Sequence, residues 1–286
     1  MIPDVDATVA AALGEVVIGC HEITGGDVNR AFRARLASGV EVFVKYRDDA
    51  PPGMYVCEAH GLEWLAGPNA VRVPRVLAVR DEPPRLLVLE WIDQGSPAPD
   101  HDATLGRSLA NLHRSGAPSF GLDRHNMLAT VPQLNTPTAT WAEFYASRRL
   151  EPLVRRAVDG GMIGAEELPR WERLFAGMPD LCGPPEVPAR LHGDLWAGNA
   201  IVDDAGAPVL IDPAVYGGHR EVDLAMMRLF GGFSDRVFAA YHEVLPLADG
   251  HQKRVPLHQL APLLVHLILF GGGYRASVER ALAAYA

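Results

Sequence analysis

The sequence predicts an α+β protein of two lobes, a small β-rich one followed by a larger, mostly helical one. Three observations lead there. Short strand-like apolar runs concentrate in residues 1–92, accompanied by one helical segment. A stretch rich in Pro, Gly and Ser, from Asp93 to Asp102, then interrupts the apolar patterning and reads as a connection. Beyond it, in residues 93–286, apolar side chains recur mainly at helical spacing. At 286 residues and 48% hydrophobic composition, the chain has ample material for the core of such a body.

The elements follow in order. Thr24-Gly25-Gly26-Asp27-Val28-Asn29 is a glycine-containing turn. Glu41 to Tyr46 is apolar and β-branched at its centre, as a strand requires. Pro51-Pro52-Gly53 breaks the chain, and Tyr55 to Ala66 then places Ala59, Leu62 and Leu65 on one helical face. Leu86 to Leu89 is a continuous apolar strand that runs into Glu90-Trp91-Ile92. After the connection, Leu105, Leu109 and Leu112 recur at i, i+4 and i+7, with Asp102 as the expected N-cap. Gly116 to Pro137 is polar and turn-rich, while Trp141 to Val158 and Glu166 to Ala176 read as helices. Ala200 to Val202 and Val209 to Ile211 are two short strands around a turn at Asp203-Asp204-Ala205-Gly206. The most apolar run, Ala261 to Phe270, is too short to span a bilayer and reads as a buried helix. Neither an internal repeat nor a low-complexity tract is present.

Charge and cysteine content narrow the function. A net charge of −9 argues against a nucleic-acid partner, which calls for a basic face. Cys20, Cys57 and Cys182 lie far apart, with no spacing suited to zinc or a redox pair, and are expected as thiols in a reducing compartment. Met1 to Asp6 lacks a basic region and a long apolar run, so a secretion signal is not expected, and the expected location is cytoplasmic, away from any membrane.

One stretch carries chemistry. Leu191-His192-Gly193-Asp194-Leu195-Trp196-Ala197-Gly198-Asn199 is followed by Ile211-Asp212-Pro213, which puts an Asn five positions after one Asp and a second Asp thirteen positions further on. Phosphoryl transfer in kinase-type folds uses three groups of this kind: a carboxylate that receives the acceptor proton, and an amide oxygen and a carboxylate that hold Mg²⁺ on nucleotide phosphates. The Asp-to-Asn spacing is that of the protein-kinase catalytic loop. Asp194 is therefore the candidate base, and Asn199 and Asp212 the candidate metal ligands. Lys45, ending a strand, is placed to meet the α- and β-phosphates of ATP, with Glu58 on the next helix as its ion-pair partner and Glu63 as the rival. Gly25 and Gly26 would offer backbone N–H groups to the phosphates. Glu90, Trp91 and Ile92 would form the hinge against the adenine edge. His192 and Asp223 are expected as braces of the catalytic loop rather than reacting groups. The remaining histidines show no metal spacing: His242-Glu243 has Pro246 where a zinc-protease motif requires His. With the lobe order, these residues define a bilobal protein-kinase-like fold.

The same residues resemble the fructosamine kinase (ketosamine-3-kinase) family, a branch of the aminoglycoside-phosphotransferase and choline-kinase-like fold. The resemblance rests on His192 to Asn199 with Trp196, on Asp212-Pro213-Ala214-Val215-Tyr216-Gly217-Gly218-His219-Arg220-Glu221-Val222-Asp223, and on Gly121 to Asn126 with Pro132 to Asn135 and Trp141. It implies ATP- and Mg²⁺-dependent phosphorylation of the sugar 3-hydroxyl of a ketosamine, an adduct of a sugar and an amine, whose product decomposes and frees the amine. By that resemblance Trp196, His219 and Trp141 are candidate contacts of the small-molecule substrate. Where many relatives carry a Cys in the phosphate loop, this chain has Asp27, so no thiol switch is expected there. The alternatives are a kinase of another hydroxylated amine, such as an aminoglycoside or choline, and a nucleotide-binding pseudokinase scaffold. A two-metal phosphoesterase would need a richer set of carboxylates and histidines than Asn199 and Asp212 provide.

Overall fold

In a computed structural model, which describes residues 5–23, 30–47 and 49–285, the chain begins with helix α1 (Val5–Leu13). Strands β1 (Val17–Ile23), β2 (Arg30–Leu36) and β3 (Glu41–Tyr46) follow, then helix α2 (Met54–Ala66) and strands β4 (Val76–Arg80) and β5 (Leu86–Glu90). The five strands form one antiparallel sheet in the order β1-β2-β3-β5-β4. β3 lies centrally, its Val42, Val44 and Tyr46 packed against Val5, Val9, Phe32 and Leu86 in a core of the small lobe. The alternate face of β3 carries Phe43 and Lys45 toward the rest of the molecule, as the two-residue period of a strand demands.

The large lobe starts at α3 (His101–Arg114) and continues through the hairpin of β6 (Asn126–Leu128) and β7 (Val131–Gln133). Next come α4 (Trp141–Phe144), a π-helical turn (Tyr145–Leu150), α5 (Glu151–Asp159) and α6 (Leu168–Leu181). Strand β8 (Ala189–Leu191), the hairpin β9 (Ala200–Val202) and β10 (Pro208–Leu210), and β11 (Tyr216–Gly218) carry the catalytic segments. Helices α7 (Glu221–Leu229), α8 (Asp235–Val244), α9 (His251–Phe270) and α10 (Arg275–Ala283) complete it. Among the described residues, no helix is long and apolar enough to cross a membrane.

The expected elements and the observed ones differ in four instructive places. Asp102 is not the N-cap of α3: the helix begins two residues earlier than that cap would set it, after Asp100, and Asp102 instead accepts a hydrogen bond from Ser234 at the start of α8. The segment read as one helix from Trp141 to Val158 is widened by the π turn, which carries Arg149 into the interior. The second strand of the late hairpin stops at Leu210, because the Ile211 carbonyl accepts from His192 Nε2 at 2.9 Å instead of joining a ladder. The turn-rich region after Gly116 contains the β6–β7 hairpin, too short for its alternation to stand out. Gly25, Gly26 and Asp27 lie outside the described residues.

Two polar ties fix the large lobe and its junction. Arg72 donates to Asp203 in the β9–β10 turn and lies 3.5 Å from Glu90 at the end of β5, while its carbonyl accepts from Leu210 at 2.9 Å. Deeper, Arg254 on α9 grips Glu221 on α7 through two bonds of 2.8 and 2.6 Å. His219 and His258 stack beside that pair at 5.4 Å, and ligand atoms of His219, Glu221 and His258 come within 4.8 Å of one another. With Glu221 already neutralised by Arg254, a dication there would add uncompensated charge to a dry interior, so we read the group as a structural anchor.

Helices α3 and α8 pack closely at Gly106. A Cβ at Gly106 would stand 2.2 Å from the Val237 carbonyl and 3.0 Å from the Ala240 Cβ. Gly106→Ala should therefore force the helices apart and cost about 1–3 kcal/mol, the scale of overpacking. Urea titration should show a lower midpoint at unchanged slope; a midpoint equal to wild type would refute the close approach.

Candidate active site

A cleft of ≈ 580 Å³ between the sheet and the helical lobe collects nearly all the sequence-predicted residues that the structure describes. Lys45, Glu58, the hinge Glu90-Trp91-Ile92, Asp194, Trp196, Asn199 and Asp212 all line it. They arrive from β3, α2, the end of β5, and the segments that follow β8 and β10.

Lys45 projects from β3 with its side chain only 7% exposed. Its ammonium reaches Glu58 on α2 at 2.6 Å and also donates to Asp212. Glu58, not Glu63, is thus the partner. Burial alone would push the lysine pKa down, but the Asp212 and Glu58 carboxylates outweigh it and raise the value, so the ammonium stays charged. Burial likewise pushes Glu58 up, while Lys45 pulls it back.

The catalytic segment follows β8. Gly193 has φ of 84°, and a Cβ there would lie 2.1 Å from the Ala214 carbonyl, so only glycine lets the two strands of the site pass this closely. The buried Asp223 carboxylate on α7 accepts the His192 N–H at 2.8 Å and the Gly193 N–H at 2.9 Å. His113 on α3 contacts the same carboxylate at 3.1 Å and Tyr241 at 2.8 Å. Burial would raise the Asp223 pKa, but hydrogen bonding and charge from His113 and His192 hold it below the ordinary value. His192, protonated on Nε2 toward Ile211, leaves Nδ1 to accept the Asp194 N–H at 3.3 Å. Both residues are braces, and neither lines the cleft.

Asp194 itself is half-buried at the cleft floor. Loss of hydration, with the Asp212 charge nearby, pushes its pKa up to about 7. Asn199 Nδ2 donates to the Asp194 carbonyl at 2.8 Å and to its carboxylate at 3.2 Å. That commitment leaves the Asn199 carbonyl oxygen as the atom turned to other uses. Asp212 has the left-handed φ of 55° and one oxygen engaged with Lys45, leaving the second. Two hard oxygen donors beside a carboxylate base fit a hydrated Mg²⁺ carrying phosphate oxygens.

The end of the cleft around Trp196 is more aromatic than the sequence suggests. Trp196 is 41% exposed and lies over Gly198, where an added Cβ would stand 2.2 Å from the ring. His266, Leu269 and Phe270 at the end of α9 face the same cleft, as do Asn126 and Met127 of the β6–β7 hairpin. The α9 residues had read simply as buried helix, and no local signal brings the end of the chain to Asp194. His219 and Trp141 are not brought to the cleft: both are buried, 6.2 Å apart ring to ring, within the large-lobe core.

A lysine held by a helix glutamate, a hinge, and an Asp–Asn–Asp set below a five-stranded sheet define a phosphotransferase of the protein-kinase fold. The chain belongs to the fructosamine kinase family, whose model matches residues 1–285. It is 42% identical to a crystallised Thermobifida fusca protein assigned as a fructosamine-3-kinase, with a TM-score of 0.91 over 99% of both chains. A Synechocystis protein assigned as a ketoamine kinase is 36% identical over 92% of this chain and 88% of its own length. A chloroplastic protein-ribulosamine 3-kinase of Oryza sativa is 36% identical over 91% of this chain and 77% of its own. The choline kinase of Streptococcus pneumoniae, at 16% identity and a TM-score of 0.66, shares the fold.

The raised Asp194 pKa has a thermodynamic consequence. Between pH about 4 and about 7 the folded, metal-free protein keeps a proton that the unfolded chain has released, so this group lowers stability as pH rises through that window. Asp194→Asn should remove the effect and melt higher than wild type above pH 7, with the difference vanishing near pH 4. Thermal melts across that range in chelator check it; equal melting at pH 8 would refute the shift.

Proposed function

We propose that this protein is an ATP- and Mg²⁺-dependent kinase that phosphorylates the sugar 3-hydroxyl of ketosamines and thereby begins their removal from amines. The observation that carries the reading is the convergence of Asp194, Asn199, Asp212, Lys45 and Glu58 in one cleft, in a chain of the fructosamine kinase family. We take residues 1–92 as the nucleotide lobe and 93–286 as the catalytic and substrate lobe. The reaction is placed in the cytoplasm, where cysteines that form no disulfide stay reduced.

Backbone groups at Glu90 to Ile92 meet the adenine edge, and Lys45 neutralises the α- and β-phosphates. Glu58 keeps the ammonium aimed while the second Asp212 oxygen is left for the cation. Asn199 and Asp212 would hold Mg²⁺, which would supply positive charge beside the phosphates. Asp194 orients the acceptor hydroxyl and takes its proton as the oxygen–phosphorus bond forms. With a pKa of about 7 it is a stronger base than an ordinary carboxylate, and cation binding next to it favours the ionised form.

The acceptor rests on the aromatic end of the cleft. Burial lowers the His266 pKa, so its ring is neutral at pH 7, and Nδ1–H donates to the Pro262 carbonyl at 2.8 Å. Nε2 is then an acceptor, suited to the ammonium of a ketosamine, with Trp196 and Phe270 supplying ring faces for the sugar and the cation. The relatives named above favour ketosamines over choline or aminoglycosides.

The test is ATP consumption with Mg²⁺ over fructosamine, ribulosamine and erythrulosamine derivatives, choline and an aminoglycoside, with the product located by mass and phosphorus NMR. Turnover on ketosamines, with phosphate on the 3-oxygen, is expected. Turnover confined to choline or the aminoglycoside would reassign the substrate. Asp194→Asn should keep nucleotide binding and lose about 10²-fold or more in kcat, the scale of general-base loss. Lys45→Ala should lower kcat/KM for ATP; an unchanged value would remove Lys45 from the site.

A further inference from the structure

A buried polar cluster, only one member of which, Asn126, reaches the cleft wall, grips the segment just after Asp212. Asn126, Gln133, Asn135 and Arg149 are 6%, 8%, 0% and 3% exposed. Asn126 Nδ2 donates to the Val215 carbonyl at 2.8 Å, and Gln133 Nε2 reaches the Ala214 carbonyl at 3.5 Å. The Asn126 side-chain oxygen accepts from Asn135 Nδ2 at 2.7 Å and from Gln133 Nε2 at 3.3 Å. Asn135 also donates to the Arg124 carbonyl at 3.0 Å. Arg149 closes the cluster, donating to Asn135 Oδ1 and to the Leu134 carbonyl, each at 2.6 Å, and to the Arg148 carbonyl at 3.2 Å. Its guanidinium lies 3.9 Å from the Tyr216 ring centre and 4.6 Å from that of Phe144.

Two features need a cause. Among the described residues no carboxylate pairs with Arg149, and a buried charge without a counter-ion is expensive. Asp212 sits in a left-handed conformation that is strained for a non-glycine residue and persists only when its surroundings over-determine it. The cluster supplies those surroundings. It fixes the carbonyls two and three residues after Asp212 and the ring of Tyr216, and it reaches them from a hairpin and a π turn that belong to the rigid large lobe.

We propose that Asn126, Gln133, Asn135 and Arg149 form a permanent latch that holds the Asp212 segment in its cation-binding conformation. In regulated kinases the corresponding ordering is supplied by a phosphorylated loop paired with arginine. Here an internal arginine paired with amides does it at all times, so the site needs no activating modification. Asn126 and Arg149 are positioning residues that act on the cation through Asp212. The proposal rests on the reading of Asp212 as a cation ligand.

The test measures Mn²⁺ binding to the protein with a non-hydrolysable ATP analogue, by electron paramagnetic resonance, so it does not depend on turnover. Asn126→Ala removes the bond to Val215. Arg149→Lys keeps the charge but loses the planar fork that serves Asn135 and Leu134 together. Each should weaken Mn²⁺ binding about 10- to 100-fold, the scale for residues that orient a metal ligand. Mg²⁺ titrations of activity should show the same rise in half-saturating concentration. A cluster that merely stabilised the fold would lower the melting temperature and the active fraction, and leave the Mn²⁺ constant of the folded protein unchanged. Folded Asn126→Ala that binds Mn²⁺ within twofold of wild type would overturn the latch, and this holds even where Arg149→Lys fails to fold. Wild type that binds no Mn²⁺ with the nucleotide analogue would overturn the kinase reading itself, and the latch with it.

Discussion

The cleft depends on one buried ammonium shared by two carboxylates from opposite sides. Lys45 belongs to the sheet, Glu58 to the helix behind it, and Asp212 to the large lobe. Neither Lys45 nor Glu58 is stable alone in that position: an unpaired buried lysine would lose its proton and an unpaired buried glutamate would gain one. Their mutual neutralisation fixes the depth of α2, the aim of β3 and the approach of the lobes together. It also leaves Asp212 with one oxygen to spare, the atom that the proposed cation would take.

A second constraint lies beneath the first. Asp223 gathers two consecutive backbone N–H groups of the catalytic loop and a histidine from α3, all in a water-free interior. Backbone donors oriented by a fixed anion do not reorganise when charge develops above them, which is what a phosphoryl-transfer site requires. Asp194 therefore owes its place to residues that never touch the cleft, and its raised pKa to burial first and to the nearby Asp212 charge second.

The sequence carried the chemistry better than the architecture around it. Asp194, Asn199 and Asp212 are legible because the reaction fixes both residue type and spacing within one short stretch of chain. Lys45 and Glu58 are legible because strand and helix periods send them to the same side. The aromatic end of the cleft is not, since His266 and Phe270 come to the cleft that Asp194 lines only once the large lobe has folded, and apolar helical spacing alone does not tell a core face from a ligand face. Trp141 and His219 show the converse: family-like aromatic and imidazole residues near the site in sequence are packing groups in space. The π turn at Tyr145–Leu150 and the short β6–β7 hairpin were invisible for a simpler reason, that neither runs long enough to impose a period.

Helix α9 joins two different worlds. Its first turn is pinned by Arg254 on Glu221 in the core, and its last turn presents His266 and Phe270 to the cleft. Twenty residues at 1.5 Å each make a rod of about 30 Å, with the core anchor at one end and the cleft at the other. On the proposed reading, drift in the final turns would retune which amine-bearing sugar is welcomed without disturbing the Asp194, Asn199 and Asp212 set, which other elements hold. An ancestral scaffold so divided would diversify its diet by editing a tip, while inheritance preserved the engine.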